Sequence, residues 1–301
     1  VTACRLPLAM VKFVRRPASK RSSRGGVIQP QFPKALVINL ARRRDRWNEV
    51  EDRLRRIKGL RFDRLEAVDG TSETIATSEV GRRWTTAKNW KYVTRTFEGG
   101  KKCGYRVQEL LLTPGERGCA ASHVMAWRRC SACRKPMLVL EDDARPRRTF
   151  AAVLSKALKE VRGSSPHVLW LGYTKAAPWR RRVSPTVREA EYLWTTVAYI
   201  LWPSGARKLL AELPGLATQK HEFDAMDLLS NRCELFAKSS KPRPVNQPVD
   251  NFMSNLVALR TLRGFATVPK LVTQAKGWNE DNDVVHSDEK AWVQNCAKIN
   301  H

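Results

Sequence analysis

The chain has 301 residues, of which 42% are hydrophobic and 28% are charged. This composition is typical of a globular protein and excludes global disorder and a collagen-like repeat, while the length indicates one large or two small domains. The 55 Lys and Arg residues outnumber the 29 Asp and Glu residues and give a net charge of +26. A chain this basic is expected to attract polyanions such as nucleic acid, anionic lipid or phosphorylated small molecules.

The excess of positive charge begins at the N-terminus. No acidic residue precedes Asp45, and the first part of the chain is rich in Arg, Lys, Ser and Gly. We therefore predict a basic, flexible arm over residues 1–34 that can contact an anionic membrane surface, a folded domain over 35–290 and a short tail over 291–301. No stretch approaches the roughly 20 apolar residues of a transmembrane helix.

The first elements are predicted to form a strand–helix–strand unit. Residues 35–40 are a short apolar run that predicts a buried strand, and residues 42–60 carry apolar side chains at spacings of three and four, which predicts a helix. Residues 61–68 predict a second strand that ends at Asp69 and Gly70. A unit of about 35 residues in this order is typical of a βαβ arrangement.

Residues 71–112 show no clean periodicity. The segment is rich in Thr, Gly, Lys and Arg and contains Trp84, Trp90 and Lys91. Basic side chains interleaved with aromatic ones can stack on nucleic-acid bases. Since no recognised nucleic-acid motif accompanies them, we favour a basic insertion or loop that borders a ligand cleft, and we expect no specific nucleic-acid partner.

A second helix is predicted to begin after Thr113. This residue can cap the helix, the following proline suits the first helical position, and Glu116 completes a capping box. One face of the helix carries mostly small and polar side chains: Cys119, Ser122, His123, Ala126, Trp127 and Cys130. On spacing alone, His123 is interpreted as a hydrogen-bonded core histidine. The lone CxxC pair of Cys130 and Cys133 is interpreted as ordinary helix cysteines.

Further strands alternate with helices. Residues 136–140, 168–172 and 195–202 are apolar runs that predict strands. Ser204 is positioned to cap a helix over residues 205–213. This alternation indicates an α/β fold with a mainly parallel central sheet.

Three acidic residues, Glu141, Asp142 and Asp143, directly follow the strand at 136–140. In open α/β sheets, ligands bind beyond the carboxyl ends of the strands. Adjacent carboxylates repel one another unless a cation neutralises them, and hard divalent cations prefer such oxygen ligands together with a diphosphate. The run therefore predicts a metal–diphosphate site, with solvated loop acids that cap the next helix as the alternative.

Several short motifs occur in a definite order between residues 35 and 290. They are Val37-Ile-Asn-Leu40 with Asp45-Arg46, Ala67-Val-Asp-Gly70, Leu112-Thr-Pro-Gly-Glu116 with Cys119-x-x-Ser122-His123, Leu138-Val-Leu-Glu-Asp-Asp143, Ala198-Tyr-Ile200, Pro248-Val-Asp250 and Pro269-x-Leu-Val-x-Gln274. Together they resemble glycosyltransferase family 25, which includes lipooligosaccharide and procollagen galactosyltransferases.

This resemblance implies a GT-A-like nucleotide-sugar-binding fold and a metal-dependent, inverting transferase. It implies a UDP-sugar donor, with UDP-galactose the first candidate, and an acceptor hydroxyl on a glycan, a glycolipid or a protein. It also implies a divalent cation, with Mn²⁺ the first candidate.

The resemblance assigns site residues as well. Glu141, Asp142 and Asp143 take the part of the acidic metal motif. The residues that correspond to the nucleotide-binding region and the donor-side helix motif are Asn39, Arg46, Asp69, Gly70, Ser122 and His123. In this interpretation His123 lies near the donor, which replaces the core-histidine interpretation.

Glycosyl transfer also needs a carboxylate that accepts the proton of the attacking hydroxyl. The resemblance assigns this role to Asp250, with Asp224 and Asp227 as rivals and a helix N-cap before residues 251–262 as the structural alternative. His286 lies in the late region where many GT-A enzymes place a further metal ligand, and a solvated loop histidine is the simpler interpretation.

Two other kinds of protein fit the same residues. One is a non-catalytic polyanion- or nucleic-acid-binding protein on an α/β scaffold, and the other is a catalytically inactive family member that acts as a binding module. A charge surplus concentrated in the arm and in residues 71–112, beside an intact acidic site, would favour the enzyme over the polyanion binder.

Overall fold

A mixed sheet of eight strands organises the part of the chain that the computed structural model describes, namely residues 32–86, 89, 109–213, 244–275 and 286–288. The strands of this sheet and of two small pairs are, in chain order, β1 (Ala35–Asn39), β2 (Phe62–Glu66), β3 (Arg83–Thr85), β4 (Glu109–Leu111), β5 (Met137–Glu141), β6 (Ala144–Pro146), β7 (Val168–Lys175), β8 (Arg181–Arg182), β9 (Val187–Glu189), β10 (Leu193–Leu201), β11 (Gly264–Thr267) and β12 (Val272–Gln274).

The helices are α1 (Arg44–Arg55), α2 (Pro114–Ser131), α3 (Phe150–Val161), α4 (Pro203–Ala211) and α5 (Val249–Ala258). Within the described ranges, no helix is both long enough and apolar enough to cross a membrane. The sequence-based predictions that lie outside these ranges concern the arm up to residue 31, the tail, Trp90, Lys91, Asp224 and Asp227.

The strand order of the main sheet is β2-β1-β5-β10-β7-β11-β9-β8. β1 pairs in parallel with β2 and β5, and β7 pairs in parallel with β11. β10 is antiparallel to both β5 and β7, and β9 is antiparallel to β11 and β8, so these two strands oppose the direction of the others. The predicted α/β class with a mainly parallel sheet is confirmed, and the arrangement is consistent with a GT-A-like fold.

Helices cover both faces of this sheet, which explains why β1 and β5 are apolar at consecutive positions. Because side chains alternate along a strand, Leu36 packs in one hydrophobic cluster with Trp127 of α2. Val37 packs in the other cluster with Leu54 of α1 and Leu154 of α3. The sheet is therefore the central one of three layers.

The start of α2 forms the predicted capping box. Thr113 Oγ1 accepts a hydrogen bond from the Glu116 backbone N–H at 3.1 Å, and the Thr113 backbone N–H donates to Glu116 Oε2 at 2.8 Å. Pro114 is the first helical residue, where its missing N–H costs nothing. This local chemistry fixes where α2 begins and so fixes the position of the side chains that follow on it.

Two predicted caps are wrong. Ser204 does not cap α4, because that helix begins at Pro203 and Trp202 is its N-cap residue. Pro203 is suited to the first helical position, and this preference outweighs the capping potential of Ser204. Asp250 is not an N-cap either, because α5 begins at Val249 and Asp250 lies within its first turn.

The loop after β2 approaches α2 so closely that only glycine fits at the contact. A Cβ atom on Gly70 would lie 1.8 Å from the Pro114 carbonyl oxygen, and one on Gly118 would lie 2.5 Å from the Val68 carbonyl oxygen. Gly70 is thus required by backbone packing, whatever else it contacts. This contact holds the loop that contains Asp69 against the start of α2.

Parts of two segments that the sequence analysis predicted to be an arm (residues 1–34) and an insertion or loop (residues 71–112) pack against the domain. Phe32 is buried, and its ring centroid lies 6.3 Å from that of Phe150, so the packed chain begins no later than Phe32. In the 71–112 segment, β3 pairs with β4, and Val80 and Trp84 are buried in the same cluster as Trp127. The described parts of this segment are therefore built into the domain.

Candidate active site

A cleft of about 200 Å³ lies at the carboxyl ends of β1, β2 and β5, beside the first residues of β10. All ten site residues proposed from the sequence line it: Asn39, Arg46, Asp69, Gly70, Ser122, His123, Glu141, Asp142, Asp143 and Asp250. Their roles stay predictions. What the structure shows is that residues from widely separated parts of the sequence share one cleft.

Glu141 ends β5 and is held by two side chains. Thr196 Oγ1 donates a hydrogen bond to Glu141 Oε1 at 2.7 Å, and His123 Nε2 lies 3.3 Å from the same oxygen. Burial disfavours the ionised carboxylate, but the contacts with His123 and Thr196 outweigh this effect and lower the pKa of Glu141. Glu141 is therefore an anion in this cleft.

Asp142 points toward β1 and α1. Asn39 Nδ2 donates a hydrogen bond to Asp142 Oδ2 at 2.7 Å, and Arg46 Nη1 donates to Asp142 Oδ1 at 3.3 Å. Burial raises the pKa of Asp142 in spite of these two contacts. Both carboxylate oxygens already have protein partners, which links the acidic run to Asn39 and Arg46.

Asp143 has the least complete set of partners of the three acids. Gln274 Nε2 donates a hydrogen bond to Asp143 Oδ2 at 3.3 Å, whereas Oδ1 is buried without a hydrogen-bond partner among the described residues. Burial and the neighbouring charges of Glu141 and Asp142 raise the pKa of Asp143 to about 7. A buried carboxylate oxygen beside two other acids fits a bound cation, because a cation would supply the missing partner and offset the repulsion.

Asp69 lines the cleft from the loop after β2. Thr71 Oγ1 donates to Asp69 Oδ1 at 2.6 Å and Arg42 Nε donates to Asp69 Oδ2 at 2.8 Å. These contacts lower the pKa of Asp69 to about 2, so it is ionised at any ordinary pH. Arg42 and Arg46 also line the cleft, which gives it basic as well as acidic groups.

Ser122 and His123 on α2 differ in what they can offer a ligand. Ser122 Oγ accepts a hydrogen bond from the Val68 backbone N–H at 2.9 Å and donates one to the Gly118 carbonyl at 2.7 Å. The hydroxyl group therefore uses both its donor and an acceptor position within the packing of the loop against α2. The His123 ring is fully buried, with Nδ1 2.8 Å from the Tyr199 hydroxyl and Nε2 directed at Glu141. It is at once a hydrogen-bonded buried histidine and a part of the cleft wall.

Asp250 reaches the cleft from the first turn of α5. Its carboxylate accepts backbone N–H groups of Thr195 at 3.0 Å and Asn251 at 2.7 Å, and burial raises its pKa. Thr195 has a φ of 72°, which is unusual for a β-branched residue, and it lies at an irregularity in the pairing of β10 with β7. This local distortion turns the Thr195 N–H toward Asp250 and, one residue later, the Thr196 hydroxyl toward Glu141.

The described residues near the C-terminus also reach the cleft. His286 Nδ1 lies 3.8 Å from Glu116 Oε1, and the Ser287 backbone N–H donates to that oxygen at 3.1 Å. The Trp84 indole N–H donates to Ser287 Oγ at 2.8 Å. Burial opposes protonation of His286, but the nearby carboxylates of Glu116 and Asp250 outweigh it and raise the pKa of His286. His286 is therefore part of the cleft wall, and its predicted role as a metal ligand stays a prediction.

The polar residues of this cleft that sequence reasoning did not assign to the site are Arg42, Thr71, Glu116, Cys119, Thr195, Thr196 and Gln274. Two adjacent threonines in an otherwise apolar strand were a usable signal for β10. Cys119 and Gln274 belong to motifs of the family resemblance but have no distinguishing pattern of their own. Among the described residues, Cys119, His123 and Glu141 form a group whose potential ligand atoms all lie within 4.8 Å of one another.

The sheet order and the acidic cleft define the chain as an α/β domain of the GT-A-like class. Residues 32–193 match the family model of glycosyltransferase family 25. The description of that family adds the words LPS biosynthesis protein. The chain belongs to this family, and its general class is that of the glycosyltransferases.

Three curated relatives give the range of similarity. A probable inactive glycosyltransferase 25 family member 3 from Bos taurus is 29% identical over 69% of this chain and 32% of its own length. A glycosyltransferase 25 family member from Drosophila pseudoobscura pseudoobscura is 30% identical over 60% of this chain and 27% of its own length. An inactive glycosyltransferase 25 family member 3 from Homo sapiens is 31% identical over 67% of this chain and 31% of its own length. The chain spans about a third of the length of these relatives.

Proposed function

We propose that the chain is a metal-assisted, inverting hexosyltransferase that moves galactose, or a related hexose, from a UDP-sugar to an acceptor hydroxyl. The acceptor would belong to a glycan, a glycolipid or a protein. The observation that carries the proposal is the buried Asp143 Oδ1, which has no hydrogen-bond partner among the described residues, in a cleft that also contains Asp250.

In this proposal the three consecutive acids have different roles. Glu141 and Asp143 would hold a divalent cation, which would neutralise negative charge on the departing diphosphate. Asp142 keeps Asn39 and Arg46 in place through hydrogen bonds of 2.7 and 3.3 Å. Arg46 then directs its positive charge to the side of the cleft where that diphosphate charge develops.

Asp250 is the proposed general base. Two backbone N–H groups fix its orientation, and burial raises its pKa, which brings it closer to the range in which a base works well near neutral pH. It would accept the proton of the acceptor hydroxyl as the oxygen attacks the anomeric carbon. For inversion, Asp250 would have to lie on the face of the transferred sugar opposite the departing diphosphate.

The experiment is a panel of UDP-sugars, with mass detection of hydrolysis and transfer, run with Mn²⁺ and with a chelator. We expect turnover of one UDP-hexose that depends on the metal. Asp143→Asn should abolish it, because the amide keeps the shape and removes the anionic ligand. The thermal midpoint should stay the same or rise, since one of three crowded charges is gone.

Asp52→Asn is the matched control, since Asp52 is an exposed carboxylate that contacts Arg56 on α1. It should leave turnover unchanged. Turnover by Asp143→Asn within a few-fold of the wild type would contradict the proposal. Several relatives carry the word inactive in their names. Donor binding without turnover of any UDP-sugar would therefore indicate a binding module instead.

A further inference from the structure

The cleft brings together three side chains of a second ligand type. Cys119 and His123 are four residues apart on α2 and so share one face of the helix, and Glu141 ends the neighbouring β5. Their ligand atoms all lie within 4.8 Å of one another. We propose that Cys119, His123 and Glu141 form an open, three-ligand site for a soft divalent metal ion of the zinc type, which shares Glu141 with the run of acids and differs from that run by its thiol and imidazole ligands.

The distance between two of the three ligand atoms suits this kind of ion. His123 Nε2 and Glu141 Oε1 are 3.3 Å apart, which is long for a hydrogen bond. Two ligands bound tetrahedrally to zinc with bonds of about 2.0–2.1 Å are separated by about 3.3–3.4 Å. Zinc can therefore bind between these two atoms with little movement of either side chain.

The groups behind the ligands support the same interpretation. Metal-binding histidines usually donate their second ring N–H to a fixed partner. His123 Nδ1 lies 2.8 Å from the Tyr199 hydroxyl, and the Trp127 indole N–H donates to the same oxygen at 3.1 Å. A phenol oxygen can accept two hydrogen bonds, so Tyr199 can hold the proton of Nδ1 in place and leave Nε2 to the metal. Thr196 Oγ1 donates to Glu141 Oε1, the oxygen proposed to bind the metal, and so holds it in place.

The choice of metal follows from the ligand types. Thiolate and imidazole favour zinc over manganese, whereas carboxylates alone favour manganese, magnesium or calcium. Burial and the nearby carboxylates, Glu141 first, raise the pKa of the Cys119 thiol, so the thiol would release its proton to solvent as the metal binds. The three protein ligands leave the fourth position open to the cleft. This inference goes beyond the proposed function and does not depend on it.

The test uses Co²⁺ as a spectroscopic substitute for zinc on the full chain, stripped of metal and kept reduced. We expect Co²⁺ to produce a near-ultraviolet sulfur-to-cobalt charge-transfer absorption that Zn²⁺ then displaces. Cys119→Ser should remove that absorption. Cys133→Ser is the matched control and should keep it, because Cys133 is an exposed cysteine beyond the end of the same helix.

Two further variants keep the test decisive if Cys119→Ser does not fold. Tyr199→Phe should keep the absorption and weaken Co²⁺ binding by about tenfold or more, as expected for the loss of a group that supports a ligand. Glu141→Gln should weaken Co²⁺ binding further, since this substitution removes an anionic ligand. Zn²⁺ should also raise the thermal midpoint of the wild type, because it binds the folded chain.

Three results would overturn the inference. They are an absent charge-transfer absorption in the wild type, its persistence in Cys119→Ser, and its loss in Cys133→Ser, which would assign the metal to the CxxC pair. None of these measurements uses a UDP-sugar. A failure here therefore leaves the proposed transferase untouched, and the absence of turnover leaves the metal site untouched.

Discussion

At the scale of the residue, His167 makes the stability of the fold depend on pH. It is 2% exposed, and its Nδ1 accepts the backbone N–H of Arg263 at 3.0 Å. Burial, with a further contribution from the charge of Arg263, lowers its pKa from 6.5 to about 4. The ring is therefore neutral in the folded chain at pH values where it is already charged in the unfolded chain.

The contribution of His167 to the free energy of unfolding should be complete above pH 6.5 and should be lost as the pH falls toward 4. Between these two pH values the unfolded chain binds a proton on this histidine and the folded chain does not, so a lower pH favours unfolding. The full effect is on the order of 3 kcal/mol. His167→Asn keeps an acceptor and removes the titration, so its free energy of unfolding should fall less between pH 7 and 4.5 than that of the wild type. Urea unfolding at several pH values measures this, and parallel pH dependences would contradict it.

The three consecutive acids show what a sequence can and cannot predict at this scale. Charges directly after an apolar strand predicted that Glu141, Asp142 and Asp143 line a polar cleft at the carboxyl end of that strand, and all three do line the cleft, while the predicted metal–diphosphate role stays a prediction. Their individual partners were not predictable, because Thr196, Asn39 and Gln274 come from three distant parts of the chain. Only the tertiary arrangement decides which of the three acids retains an unpartnered oxygen.

At the scale of the element, Gly118 in α2 sets the distance between the helix and the loop after β2. Alanine is favoured over glycine within a helix by about 1 kcal/mol. At this position its Cβ atom would lie 2.5 Å from the Val68 carbonyl, and overpacking of this kind costs about 1–3 kcal/mol. We therefore expect Gly118→Ala to lower the thermal midpoint and, since Asp69 and Ser122 flank this contact, to weaken ligand binding in the cleft.

Gly163→Ala is the control for this substitution. Gly163 lies in the short turn after α3, and a Cβ atom there would have no neighbour within 4 Å. Its thermal midpoint should match or exceed that of the wild type. An unchanged midpoint in Gly118→Ala would mean that the loop moves away from α2 at little cost, and the close contact would then have no role in stability.

Elements with a strong local signal were predictable, and the others were not. The apolar runs of β1, β5, β7 and β10 and the capping box of α2 are confirmed within a few residues. The strands β3, β6, β8 and β12 have only two or three residues each, too few to show a period. The reversed direction of β10 was not predictable either, since a buried strand has the same apolar sequence whether it pairs in parallel or antiparallel.

At the scale of the whole molecule, the surplus of positive charge is not concentrated in the arm and in residues 71–112, which was the distribution expected to favour an enzyme over a polyanion binder. Residues 1–34 carry 8 basic and no acidic residues and residues 71–112 carry 8 basic and 4 acidic residues, so together they supply 12 of the 26 surplus charges. The rest of the domain is basic as well, while its cleft is lined by six acids. The location of the surplus therefore does not favour the enzyme over a polyanion binder. The acidic cleft is the feature that separates them.

Deletion of residues 1–30 should leave the thermal midpoint almost unchanged. This segment carries seven basic residues and no acidic one, so its like charges repel one another, and within residues 15–26 Ala18 is the only hydrophobic residue. The deletion stops before Phe32, which is buried against Phe150. A deletion that also removes Phe32 should lower the midpoint, and differential scanning calorimetry of the two shortened chains separates the cases. A large loss on the shorter deletion would show that the arm packs on the domain.

The reversed strand β10 has a consequence for where this chain can be divided. The family match ends at residue 193, the first residue of β10, yet that strand lies in the middle of the sheet between β5 and β7. A fragment cut at the end of the match would leave both neighbours with bare edges, which invite aggregation. It would also lack Thr195, Thr196 and Asp250. The span matched by the family model is thus shorter than the sheet to which it belongs, and recombinant fragments should be designed from the strand order.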